Sequence, residues 1–80
     1  MLISLLGTFY GLNKNYDQAT FFQKIAIEKA PFEPSFYRNL SETLKKVDKI
    51  LDALSILYFA KTLFLNDQSI DYEIAKLNTQ

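Results

Sequence analysis

The sequence has no cysteine, no histidine and no tryptophan among its 80 residues. Without cysteine there is no disulfide framework and no thiolate metal site. Without histidine the chain lacks the commonest general base and the commonest protein metal ligand. Glycine and proline occur twice each, which argues against a turn-rich β-fold. We therefore expect no catalytic residues, no cofactor and no metal site, and we expect that the chain is not an enzyme.

The chain also has no excess of either charge, because nine basic residues balance nine acidic ones. A neutral chain lacks the basic footprint of a nucleic-acid-binding protein, so we expect no nucleic-acid partner. Hydrophobic residues make up 49% of the chain and aromatic residues 15%, which is ample material for a core. The composition indicates one small folded domain.

The first twelve residues, Met1–Leu12, are apolar enough to suggest a signal peptide or a membrane anchor. They have no basic start and no small-residue cleavage site, and twelve residues are too few to span a bilayer. We interpret them as a buried amphipathic helix, with a targeting segment as the alternative. The apolar stretch from Ile50 to Leu65 is interrupted by polar residues, so we expect no direct membrane span.

The chain is rich in residues with AT-rich codons, with eight lysines to one arginine and twelve Phe and Tyr residues. This bias suggests a gene from a low-GC bacterium or from an organelle genome. Together with the absence of cysteine, it favours an intracellular protein, cytoplasmic or organellar.

Apolar residues recur at spacings of three and four, which is helical periodicity and predicts an all-α fold. Turn residues divide the chain into five predicted helices, at about Leu2–Leu12, Tyr16–Lys29, Pro34–Lys46, Lys49–Phe64 and Gln68–Leu77. Asn15 and Asp48 are the predicted N-caps of the second and fourth helices, and the pair Asn66-Asp67 is predicted to cap the fifth. Pro31 ends the second helix, and Pro34 fits the first turn of the third.

The sequence repeats with a period of about 34 residues, since 1–33 aligns without a gap on 34–67. Leu6-Gly7 falls on Leu40-Ser41, Tyr10 on Leu44, Ala19 on Ala53 and Ala26 on Ala60. Gly7 and Ser41 are small where two helices would cross. The alanines lie seven apart on one helix face and admit a neighbouring helix.

These residues resemble the tetratricopeptide repeat (TPR) pattern over about 67 of the 80 residues. The resemblance implies helical hairpins stacked in a superhelix: repeat 1 at 1–33, repeat 2 at 34–67, and a capping helix and tail at 68–80, all in one domain. Three positions depart from the family pattern. Ile3 replaces the usual tryptophan, Gln23 stands where an aromatic is common, and Leu65 occupies the place of the closing proline.

The resemblance also implies a concave groove that receives a protein or peptide partner. By position, its lining is Ser4, Thr8, Leu12, Arg38, Asn39, Glu42 and Lys45. Of the Lys, Asn and Arg cluster with which some TPR co-chaperones hold a carboxylate tail, only Asn39 is present, so that specificity is disfavoured. For Arg38, Lys45 and Lys46 the alternative is an ordinary solvated helix face.

Apolar residues occupy positions where the family usually has charged residues on its convex side. We name Phe21, Ile25 and Phe59 the convex stripe, with Phe32 and Phe64 near the helix ends. An exposed apolar stripe usually marks a docking surface. The alternative is that the fifth helix or a bent core covers it.

The acidic pairs Asp48/Asp52 and Asp67/Asp71 could place carboxylates side by side, but we interpret them as helix caps and solvated faces. The leading hypothesis is therefore a small TPR-type adaptor or assembly factor, chaperone-like, that holds a protein partner. A constitutive structural subunit of a large complex, organellar or photosynthetic, is the second hypothesis. Self-association is also expected, because repeat proteins need polar outer faces on their terminal units and the opening segment here is apolar.

Overall fold

A computed structural model describes residues 15–79 of the chain. This part folds into four α-helices and contains no β-strand: α1 at Tyr16–Lys29, α2 at Pro34–Lys46, α3 at Ile50–Leu63 and α4 at Gln68–Asn78. The all-α prediction is confirmed for these residues. The predicted helix at Leu2–Leu12 lies outside the described residues.

The predicted boundaries hold for α1 and α2 and differ by one residue in the other two helices. Pro34 is the first residue of α2, where a missing N–H costs nothing. Of the predicted capping pair Asn66-Asp67, Asp67 caps α4, and its side chain accepts hydrogen bonds from the backbone amides of Ser69 and Ile70. Asn15 is the N-cap residue of α1, but its side chain makes no capping hydrogen bond.

The prediction that Asp48 caps α3 is wrong, because the N-cap of α3 is Lys49. Asp48 instead ends α2, and it has a positive φ of 65°. The amide of Asp48 donates to the carbonyl of Lys45, and the amide of Lys49 donates to the carbonyl of Leu44. These two bonds form a Schellman motif, which commonly ends a helix with one left-handed residue. Aspartate tolerates that conformation better than most side chains.

α2 lies at the centre of the described fold and packs against α1, α3 and α4. One core cluster joins α2, α3 and α4, and it consists of Tyr37, Leu40, Leu44, Ala53, Leu57, Ala60, Ile70, Ile74 and Leu77. The small residues behave as their spacing predicts: Ala19, Ala26, Ala53 and Ala60 are buried, and so is Ser41. Small side chains let the helices approach closely enough to exclude water.

Tyr37 ties the turn before α2 to the end of α3. Its ring is 1% exposed and contacts the rings of Phe59 and Phe64, with centroids 6.1 and 5.8 Å away. Its hydroxyl donates to the carbonyl of Pro31 at 2.6 Å. Burial raises the pKa of the Tyr37 phenol, so the neutral form is the one that the fold accommodates.

The described fold repeats itself with the same period as the sequence. α1 begins and ends at Tyr16 and Lys29, and α3 does so one period later, at Ile50 and Leu63. The turns that follow have the same backbone hydrogen bonds. After α1, the amide of Ala30 donates to the carbonyl of Ala26 and the amide of Glu33 to the carbonyl of Ala30. After α3, the amide of Phe64 donates to the carbonyl of Ala60 and the amide of Asp67 to the carbonyl of Phe64. Equivalent sequence positions thus form equivalent backbone structure.

Candidate partner-binding surfaces

Two of the predicted groove residues on α2, Arg38 and Glu42, interact with residues of α4. Of this set, Arg38, Glu42 and Lys45 are half-buried and Asn39 is exposed. Ser4, Thr8 and Leu12, the rest of the predicted groove, lie outside the described residues. The structure therefore describes only the α2 part of the predicted groove.

Arg38 is engaged within the chain. Its Nη1 donates to the hydroxyl of Ser69 at 2.6 Å, and that hydroxyl donates to the carboxylate of Asp67. The pKa of the Asp67 carboxyl is lowered, chiefly by the hydrogen bond from the Ser69 hydroxyl. Burial opposes this shift, and the backbone amides of Ser69 and Ile70 and the Arg38 charge each lower the pKa by a smaller amount. Arg38 therefore joins α2 to the capped start of α4, which is a structural role.

α4 adds two charged residues to this side that sequence reasoning missed. The ammonium of Lys76 lies 3.4 Å from the carboxylate of Glu73, one helical turn earlier. The pKa of Lys76 is raised, chiefly by its hydrogen bond to Glu73 and to a smaller degree by the charge of Glu42 on α2. The i, i+3 spacing of Glu73 and Lys76 is the signal that could have indicated an ion pair. The α2–α4 side is thus of mixed charge, and it suits a polar partner better than an anion or a cation alone.

The convex stripe is largely open to solvent. Phe21 on α1 is 57% exposed and Phe59 on α3 is 55% exposed, whereas Ile25 is half-buried. Phe59 rests with one side of its ring against Tyr37. Of the flanking aromatics, Phe32 is exposed and Phe64 is half-buried against the core. For Phe21 and Phe59, neither α4 nor a bend of the core covers the side chain.

A cleft of about 400 Å³ separates α1 from α3, a feature that sequence reasoning did not anticipate. The C-terminal end of α2 contributes the apolar residues Leu44 and Val47. The two walls are formed by Tyr16, Asp17, Thr20 and Lys24 on one side and by Lys49, Asp52, Ser55 and Ile56 on the other. Two acidic and two basic side chains balance there, so the cleft has no preference for an ion of either sign. Its origin is tertiary, because α1 and α3 both pack on α2 and not on each other.

No helix within residues 15–79 has the length and apolar character needed to cross a membrane. No known protein-family model matches this sequence, and no curated protein shows significant similarity to it.

Proposed function

We propose that the chain is a TPR-type protein-interaction module, a non-enzymatic adaptor or assembly factor that holds a protein partner. The observation that carries the proposal is the structural repeat, in which α1 and its following turn recur one period later as α3 and its turn. Helical hairpins that repeat with a period of about 34 residues are typical of the TPR family. Stacked repeats of this kind present extended surfaces to other proteins.

Two surfaces would hold the partner. The first is the polar side formed by Asn39, Glu42 and Lys45 of α2, to which α4 adds Glu73 and Lys76. The second is the convex stripe, where Phe21 and Phe59 are each more than half exposed. Large aromatic side chains gain most when a partner removes them from water, and they dominate the energetics of many interfaces.

The decisive variant is Phe21→Ser combined with Phe59→Ser. Because both side chains are exposed, we expect helical circular dichroism to remain and binding to be lost. Tagged protein would be recovered from extract of the source cells, and co-purified proteins would be quantified by mass spectrometry. Tyr72→Ser is the matched control, since Tyr72 is 64% exposed but lies on α4. A partner that is lost in the double variant and kept in the control supports the proposal.

The groove has its own test in the charge reversals Glu42→Lys and Lys45→Glu. If the partner lies on the α2–α4 side, either reversal should reduce its recovery while the Phe21/Phe59 variant retains it. Loss of fold in the Phe21/Phe59 variant would show that these residues belong to the core. The proposal is contradicted if none of these variants reduces the recovery of any co-purified protein.

The exposed aromatics also favour the second hypothesis, a permanent subunit of a large complex. An exchanging adaptor should fold and remain dispersed alone, whereas a subunit should aggregate or melt without cooperativity until its complex is present. Sedimentation velocity and thermal unfolding of the isolated chain separate the two.

A further inference from the structure

We propose that the outer face of α3 pairs, antiparallel, with the same face of a second copy of this chain. Four exposed, uncharged residues define this face: Leu51, Ser55, Tyr58 and Thr62, which we name the α3 ridge. Their spacings of four, three and four place them along one side of the helix. The buried residues of α3, Ala53, Leu57 and Ala60, occupy the opposite side.

The α3 ridge is complementary to itself. Along the helix its side chains alternate large, small, large, small. The four positions are symmetric about a point midway between residues 56 and 57. In an antiparallel pair centred there, Leu51 lies opposite Thr62 of the second copy and Tyr58 lies opposite its Ser55. Each large side chain thus meets a small one, as helix packing requires. A twofold interface brings the same surface of both copies together, which is what this symmetry provides.

The chemistry of the ridge suits burial in such a pair. The hydroxyl of Thr62 already donates to the carbonyl of Phe59 at 2.6 Å, so its methyl group can be covered without leaving that donor unpaired. The charged residues Asp52 and Lys61 lie about a quarter turn to either side of the ridge, and Lys61 is paired with Asp71 of α4. The chain has no net charge, so two copies do not repel each other.

The exposed area indicates a weak, reversible dimer. The two large residues of the ridge, Leu51 and Tyr58, are 79% and 50% exposed. Aromatic side chains bury roughly 150–250 Å² each and leucine somewhat less, so these two offer roughly 200–250 Å². A standard interface buries about 800 Å² on each partner. We therefore expect dissociation in the micromolar range or weaker.

The equivalent face of α1 argues for α3 as the paired helix. The positions one period before the ridge are Asp17, Phe21, Lys24 and Glu28, and all four are exposed. Three of them are charged, and the sequence of large and small side chains is lost. Two α1 helices could not pair in this way without burying unpaired charges.

The inference goes beyond the proposed function and depends on different residues, so either can fail without the other. Its first test is sedimentation equilibrium of the whole chain over a range of concentrations. We expect a monomer–dimer equilibrium that Tyr58→Lys weakens by at least about tenfold. Ser55→Lys, which fills the place that receives Tyr58, should weaken it similarly. Tyr72→Lys on α4 should leave it unchanged, and circular dichroism should show that all three variants stay helical.

The second test fixes the orientation and uses the absence of native cysteine. In the proposed pair, two copies of Leu51→Cys place their sulfur-bearing residues about 16 Å apart along the helix axis, too far for a disulfide. A mixture of Leu51→Cys with Thr62→Cys should instead give a cross-linked heterodimer on mild oxidation. Self-cross-linking of Leu51→Cys alone would indicate a parallel pair and overturn the proposal. A chain that stays monomeric at the highest concentrations would also overturn it.

Discussion

α1 and α3 occupy equivalent places in the repeat, yet they differ in both the middle of the buried face and the outer face. Each buries two alanines seven positions apart. Between those alanines α3 has Leu57, which is 0% exposed, whereas α1 has Gln23, which is 6% exposed. The Oε1 atom of Gln23 has no hydrogen-bond partner among residues 15–79. The same position of the repeat therefore accepts either an apolar or a polar side chain, and we expect α1 to be less stable than α3.

The outer faces differ in the same sense, because α3 is again the more apolar of the two helices. α1 presents charged residues around Phe21, whereas α3 presents Leu51, Tyr58 and Phe59. A helix that is apolar on both sides usually has something packed on both. In this chain the better-packed helix is thus also the one with an uncovered apolar face. α1 is suited to contacts within the fold only, whereas α3 is suited to contacts outside the fold as well.

The largest expected effect comes from making α3 like α1 at the buried position. Leu57→Gln removes a fully buried apolar side chain and buries an amide, so we expect unfolding to become easier by about 3 kcal/mol. A domain of this size has only a few kcal/mol to lose, so much of the cooperativity of unfolding should disappear with it. The measurement is urea unfolding followed by circular dichroism at one fixed protein concentration. A loss below about 1 kcal/mol would show that Leu57 is not part of a tightly packed core.

The reverse substitution, Gln23→Leu, should sharpen the comparison by stabilising α1. It removes a buried oxygen that has no partner among residues 15–79 and adds apolar burial, and we expect a gain of about 1–2 kcal/mol. Gln23→Ala is the matched control, because it removes the amide without adding a large side chain. If the leucine variant is less stable than the original chain, the Gln23 side chain makes contacts that the described residues do not reveal.

The N-caps of α2 and α4 extend the comparison, since Glu33 and Asp67 also occupy equivalent positions of the repeat. Both carboxylates accept from a serine two positions later, but only Asp67 also caps backbone amides. We expect Asp67→Ala to cost about 1 kcal/mol and Glu33→Ala a few tenths at most. Equal losses in the two variants, measured by urea unfolding, would contradict the assignment of the cap.

Acid titration gives the same cap an independent readout. Because the pKa of Asp67 is lowered in the folded chain, its contribution is present above its ordinary value of 3.8 and is lost as the pH falls through the lowered value. Asp67→Asn should keep most of the capping and lose this acid-dependent component. An Asn variant with the same acid dependence as the original chain would assign the effect to other carboxylates.

The smallest effect on stability should come from giving α3 the charged outer face of α1. Leu51→Asp combined with Tyr58→Lys changes two exposed positions, so we expect the free energy of unfolding to move by less than about 0.5 kcal/mol per site. This is measured at concentrations where the chain is monomeric, because association would add its own stabilisation. A larger loss would show that the outer face contributes to the fold itself.

The sequence by itself determined the helical class and most of the helix ends. Pro31 and Pro34 set the turn between α1 and α2, because proline restricts its own backbone and that of the residue before it. Asp67 was predictable as a cap because a short acidic side chain reaches the free amides of the next turn. The recurrence of the alanines from one repeat to the next likewise predicted which faces of α1 and α3 are buried. The TPR superhelix, the groove and the identity of a partner stay predictions.

Only the tertiary structure decided how several polar residues are used. Asp48 looked like the start of α3, but its amide donates to the carbonyl of Lys45 at the end of α2. The N-cap of α3 is therefore Lys49. Arg38 looked like a groove residue, but Ser69, 31 positions away, accepts its hydrogen bond. The cleft between α1 and α3 and the open ridge on α3 depend on which helices pack on α2. Local patterns predict local conformation, whereas the partner of a side chain depends on residues that only folding brings near.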